Sequence, residues 1–193
     1  EVDSTVLLID ADVANPNLMK RMNLPPAKGL LDLLTNDDLD PADVILRTNV
    51  EKLSLLPAGT AHRRATEMLA SASMVELVEQ MSTRYPDRIL VFDSPPLLAT
   101  TEARVLASHM GQIIMVVEAD VTTQATVLKA LETIENCPVV LMVLNKAART
   151  EVGAIADGAG GEQRADQSEV SSGILLRPAT RDAEHLLRMI GPD

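Results

Sequence analysis

Aromatic side chains are almost missing from this sequence: 193 residues hold one Phe, one Tyr and no Trp. A core must therefore be assembled from Val, Leu, Ile, Ala and Met, a palette that suits a parallel sheet covered by helices. Cysteine is equally scarce. The single Cys137 excludes an intrachain disulfide and fits a reducing compartment. His109 and His185 have no Cys or His neighbours at metal-ligand spacing, so no zinc site is indicated. Positive charge is in deficit, with 17 Lys and Arg against 28 Asp and Glu and a formal net charge of −11. That balance argues against non-specific nucleic-acid binding and against docking on anionic lipid by charge alone. No apolar run approaches the ~18 residues of a membrane span, and no segment reads as a signal peptide. The phosphate loop G-x-x-x-x-G-K-[ST] is absent throughout.

What is present is a pair of apolar runs that each stop at an aspartate: Val6-Leu-Leu-Ile-Asp10-Ala-Asp12 and Ile89-Leu-Val-Phe-Asp93-Ser-Pro-Pro96. Short uninterrupted runs of this kind read as fully buried strands. In an open α/β sheet the carboxyl ends of such strands line the ligand crevice. Side by side they would bring Asp10, Asp12 and Asp93 together, the arrangement a Mg²⁺–nucleotide site needs.

Further strands are expected at Lys52–Leu56, Gln112–Val117 and Val139–Leu144. Between them lie helical patterns at 29–34, 41–46, 66–69, 74–81, 102–108 and 123–134. Asp40 followed by Pro41 is an N-cap and first-turn pair, and Ser73 is a candidate cap for the piece that follows it. Strands alternating with helices at this spacing predict a mostly parallel α/β sheet flanked by helices. Beyond Ala147 the composition turns to Ala, Gly, Glu, Asp, Gln and Ser. The expected organisation is one domain over 1–147, a flexible linker over 148–173 and a tail over 174–193. That tail holds an apolar island at Ile174–Leu176 and a short amphipathic helix over 181–190.

Asp10 and Asp12 face one crevice only if the chain turns at Ala11; an Asp-rich turn after a strand is the plainer alternative. Asp93 is the stronger case, because Ser94-Pro-Pro96 stops the strand and fixes the backbone away from helix. Asn145 also ends a strand, where its carboxamide can meet an adenine edge or simply shape a turn. Pro57-Ala-Gly59 offers a tight turn near a ligand, or an ordinary loop. His62-Arg-Arg64 can meet phosphate, although a solvated helix entrance explains it as well. Cys137 has no activating base nearby and reads as structural.

Taken together, the segments Leu7–Asp12, Asn15–Leu18, Gly29–Asp32, Leu55–Gly59, Arg84–Arg88, Phe92–Leu97, Thr101–Ala103 and Val143–Lys146 resemble the cytoplasmic domain of bacterial tyrosine kinases. The likeness is to the autokinases of exopolysaccharide gene clusters and runs from about Thr5 to Ala147. The resemblance implies a P-loop NTPase fold of the MinD/ParA-like deviant Walker type. It implies Asp10 and Asp12 as catalytic carboxylates assisting Mg²⁺ and the attacking hydroxyl, and Asp93 with Asp10 as metal ligands. Asn145 is implied at the nucleotide base, and ATP as phosphoryl donor to tyrosine. It further implies a cytoplasmic homo-oligomer recruited to the inner membrane face by a polysaccharide co-polymerase-type activator, without inserting into the membrane itself.

Two features depart from that pattern. The phosphate loop and its strand are expected upstream of Glu1, and no Tyr follows Ala147, where the family usually carries its acceptors. The 193 residues alone are accordingly expected to fold marginally and to bind ATP poorly. Two alternatives stay open: a MinD/ParA-type ATPase switch without kinase activity, and a non-catalytic partner in a polysaccharide assembly complex.

Overall fold

A computed structural model describes residues 4–134, 137–147 and 174–177. The Val-, Leu- and Ile-rich runs become strands: β1 (Thr5–Asp10), β2 (Leu46–Arg47), β3 (Leu53–Leu56), β4 (Arg88–Asp93), β5 (Gln112–Glu118), β6 (Val140–Asn145) and β7 (Ile174–Arg177). The order across the sheet is β2-β3-β1-β4-β7-β5-β6. β3, β1 and β4 run parallel, as do β5 and β6, whereas β2 and β7 are antiparallel to their neighbours. The expected mostly parallel α/β architecture is therefore present.

Helices fill the connections: α1 (Leu18–Arg21), α2 (Leu30–Leu33), α3 (Pro41–Val44), α4 (Ala65–Leu69), α5 (Ala72–Arg84), α6 (Thr101–Ser108) and α7 (Gln124–Glu132). Their starts are set by local polar groups, each satisfying a backbone donor that the first turn leaves over. Asp40 accepts from the Ala42 N–H, Thr100 from Ala103 and Thr123 from Thr126. The long helix α5 starts two residues earlier than the sequence suggests. Ser71, not Ser73, accepts from the Met74 N–H, and this register turns Met74, Leu77, Val78 and Met81 inward.

The helices gather on one side of the sheet. Leu7 and Ile9 of β1, Leu90 and Phe92 of β4, and Ile113 and Met115 of β5 pack in one cluster with residues of α2, α5, α6 and α7. Alternation along the strands sends Ile89 and Ile114 to the opposite face. There they form a small cluster with Val91 and Leu141, to which no helix among the described residues contributes a buried side chain. At the far edge, β6 leaves Met142 60% and Leu144 61% exposed.

The apolar island of the tail proves to be a sheet element. Ile174–Arg177 lies between β4 and β5, which have no direct pairing with each other: Leu90 is in register with Arg177 and Ile114 with Ile174. The expected linker over 148–173 and the expected helix over 181–190 lie outside the described residues.

Candidate active site

β1 and β4 end together. Asp10 and Asp93 are the last residues of their strands and are register partners. Parallel partners share a face, so both lie on the side opposite Ile9 and Phe92. The Ala11 N–H donates to the Asp93 carbonyl at 2.9 Å and carries the chain out of β1 beside the end of β4. Asp12 follows in a turn closed by its own carboxylate, which accepts from the Asn15 N–H at 3.1 Å.

Asp10 is 1% exposed. One oxygen, Oδ2, accepts from the Leu18 N–H at 3.2 Å. The other, Oδ1, is buried and has no hydrogen-bond partner among the described residues. Burial pushes the Asp10 carboxyl up to about 6; the Leu18 N–H opposes this, and the charges of Asp93 and Asp12 add to it. Asp93 is also raised, by burial first and then by Asp12, with the Arg21 guanidinium pulling the other way. Asp12 is raised by burial, against the Asn15 N–H, with Glu102 adding repulsion. Glu102 itself is held below the usual carboxylate range, chiefly because the Thr66 hydroxyl donates to it. The rim is thus a zone of mutually repelling carboxylates, relieved in part by the Arg21 guanidinium near Asp93.

The structure brings Asp10, Asp12 and Asp93 within electrostatic reach of one another. Among the described residues, however, no three Asp, Glu, His or Cys side chains form a cage able to hold a metal alone. Mg²⁺ does not need one: it commonly takes one or two carboxylates and completes its octahedron with phosphate and water. The orphaned Asp10 Oδ1 and the hard oxygen donors of Asp93 fit such an ion.

Asn145 is not brought to this group. It ends β6, so β7 and β5 separate it from β4, about 14 Å at the usual spacing of ~4.8 Å per strand. Its side-chain oxygen accepts from the Lys146 N–H at 2.9 Å. Lys146 takes the left-handed φ of 60° and reaches Glu118 at 2.7 Å.

The sequence reading missed Asp32. Its carboxylate accepts from the Gly29 N–H at 2.8 Å and the Thr60 N–H at 2.9 Å. The Leu30 and Leu31 N–H groups donate to the Pro57 and Ala58 carbonyls at 2.8 and 2.9 Å. The start of α2 is thereby locked to the loop leaving β3, next to Asp10. Gly29-Leu-Leu-Asp32 was visible as a segment, but nothing in it signals a partner in the loop after β3.

The chain, as distinct from the site, is similar to known proteins. No family model matches the chain. It is 36% identical over 109 residues to the tyrosine-protein kinase ptk of Acinetobacter johnsonii, an alignment covering 56% of this chain and 14% of that protein. It is 33% identical over 162 residues to the succinoglycan biosynthesis transport protein ExoP of Rhizobium meliloti, covering 81% and 20%. It is 31% identical over 124 residues to the putative tyrosine-protein kinase CapB of Staphylococcus aureus, covering 64% and 53%. Among solved structures, the VpsO kinase domain superposes with a TM-score of 0.66 at 26% identity, covering 72% of this chain and 70% of that one. The chain belongs to the bacterial tyrosine autokinase family of capsule and exopolysaccharide synthesis.

The kinase domain of Escherichia coli ETK, with a TM-score of 0.68 at 22% identity over 84% of this chain and 62% of that one, shares its fold. So does the Mg-ADP complex of MinD from Pyrococcus horikoshii, with a TM-score of 0.58 at 21% identity over 76% and 60%. The fold is that of P-loop NTPases. The chain spans between 14% and 53% of the length of those three curated relatives. Among the described residues no helix is long and apolar enough to cross a membrane.

Proposed function

We propose that this chain carries the carboxylate half of an ATP-dependent protein-tyrosine kinase site serving exopolysaccharide synthesis and export. The observation that carries the reading is the register pairing of Asp10 with Asp93 at one sheet rim, with a buried, partnerless oxygen on Asp10. Asp10 and Asp93 would hold Mg²⁺, which when bound offsets the charge of the transferring phosphoryl group. Asp12, free of the strand and close to both, is the carboxylate that meets the attacking hydroxyl. Asn145 lies about three strands along the same rim, where the base end of a nucleotide whose phosphates approach Asp93 would come. Phosphoryl transfer asks the protein mainly for position and charge neutralisation, and a rim of crowded, mutually repelling carboxylates supplies the metal side of that requirement. A phosphate cradle is not among the described residues. A homo-oligomer, with a membrane co-polymerase-type activator, would present the acceptor.

The test is the full-length gene product with labelled ATP and a tyrosine-containing acceptor. Label on tyrosine is expected, falling a hundredfold or more in Asp10→Ala/Asp93→Ala, on the scale of losing a main electrostatic stabiliser. A second reading, an ATPase switch that phosphorylates nothing, draws on one observation. Tyr85 is the only tyrosine, and it is half-buried with Arg88 stacked 4.1 Å from its ring centre. Phosphate release with no label on tyrosine would select the switch.

A further inference from the structure

The sheet has two apolar faces, and the buried side chains of the described helices gather on one of them. On the other, Ile89 and Val91 of β4, Ile114 of β5 and Leu141 of β6 form an apolar strip to which no described helix adds a buried residue. Val143, two residues along β6 and so on the same face, is 40% exposed. Chains seldom leave a contiguous apolar face of this kind to water, so the strip calls for a cover.

The end of β7 points to what supplies it. β7 runs antiparallel between β4 and β5, and its final residue, Arg177, is in register with Leu90, next to Ile89. The chain therefore leaves the sheet at the end away from Asp93, beside the strip, with residues 178–193 still to come. Within 181–190, Ala183, Leu186, Leu187 and Ile190 recur at the i, i+3, i+4, i+7 spacing of one helix face, while Arg181, His185 and Arg188 fall on the other. Gly191-Pro192 is a helix stop. This stretch lies outside the described residues; its spacing and the place where β7 ends are what assign it. We propose that residues 181–190 form a helix that folds back across the strip and seats Leu186, Leu187 and Ile190 on Ile89, Val91, Ile114 and Leu141. The connecting residues 178–180 reach about 10 Å at most, which starts the helix over the entry to β4. Its length would be about 15 Å, and the distance from β4 across β7 and β5 to β6 is three strand spacings, about 14 Å. The other face is closed to it, because residues of α5, α6 and α7 already pack there against β4 and β5. A helix this short is marginal by itself and draws its stability from packing its stripe. No Tyr follows Ala147, so this tail has no phenol to offer a kinase site; docked, it is a strap that holds β7 in the sheet. The strap lies at the end of β4 opposite the Asp93 rim, and it stands whatever reaction that rim catalyses.

The single Cys137 makes site-directed spin labelling simple. The full 193-residue chain carrying Cys137→Ser and His185→Cys takes a nitroxide on the polar side of the proposed helix, and its Ile, Leu and Val methyls are read by NMR. Broadening of the Ile89, Val91, Ile114 and Leu141 methyls is expected, with Leu31 and Leu69 in the helix-side core spared. Adding Leu186→Asp/Leu187→Asp should abolish the broadening and raise the fluorescence of a hydrophobic dye severalfold. Arg188→Asp, off the stripe, should change neither. A mixture of spin-labelled, methyl-silent chain with methyl-labelled chain lacking the nitroxide should show no broadening. Absence of broadening in the labelled chain, or its survival in the double Asp variant, overturns the docking. Broadening in the mixture would make a second copy the cover and overturn it equally. The nitroxide arm decides even if the double Asp variant unfolds.

Discussion

Burying a carboxylate beside two others raises the free energy of the native state, and Asp10 bears most of that penalty here. Its unfolded value is near 3.8 and its folded value about 6, so the native state holds the proton more tightly. Stability therefore falls as pH climbs from about 4 to about 6, and the loss is complete above that window. The size is about 3 kcal/mol from the linkage relation. Asp10→Asn should raise the unfolding free energy at pH 7.5 by up to that amount and flatten its dependence between pH 4 and 6, read by urea denaturation at several pH values. An Asn variant less stable than wild type at pH 7.5 would remove the premise. Millimolar MgCl₂ should raise the melting temperature of the wild type and leave an Asp10→Asn/Asp93→Asn chain unchanged. Asp32 behaves oppositely. Partial burial pushes it up, yet the Gly29 and Thr60 N–H groups hold it below the ordinary value. Asp32→Ala strands those two donors and should cost about 1–3 kcal/mol in urea titration. Asp10 and Asp93 were legible because each closes an apolar run, and Asp12 because it stands two residues beyond Asp10. Asp32 was not, because Thr60 lies 28 positions away, and no local pattern reports a contact at that range.

Elements were easier to read than their joints. The Asp40-Pro41 start of α3 and the apolar face of α5 follow from spacing alone. Ser71 and Ser73 are both able to cap α5, and the choice falls to Ser71 because that register turns Met74 and Met81 inward. The joint between α2 and the loop after β3 has no sequence signature beyond two glycines. A Cβ on Gly29 would lie 1.9 Å from the Pro57 carbonyl oxygen, and Gly59 sits at φ +90° against Asp32. Backbone cannot yield as a flexible side chain can, so Gly29→Ala should cost about 3 kcal/mol or more. A variant of wild-type stability would mean that the joint opens freely.

For the molecule as a whole, strand alternation with helices announced a parallel sheet, and the comparisons agree. The strand order was out of reach, because a three-residue apolar island after a long polar stretch gives no hint of pairing with strands far upstream. β7 is nonetheless what joins β2-β3-β1-β4 to β5-β6. Replacing Ile174–Arg177 with Gly and Ser should loosen the two halves from each other. Amide exchange at Phe92 and Ile114 should quicken, and the urea transition should broaden or split. A single sharp transition at the wild-type midpoint would show that the halves cohere without it.

The same strand has a consequence for synthesis. On the ribosome, β1, β3, β4 and β5 all emerge before Ile174 has been translated, so for that interval β4 and β5 each have an edge without its β7 partner. Open edges recruit whatever extended peptide is nearest. Nascent copies on one polysome are therefore each other's most immediate hazard, and fast elongation through the polar stretch before Ile174 would shorten the time for which they are exposed.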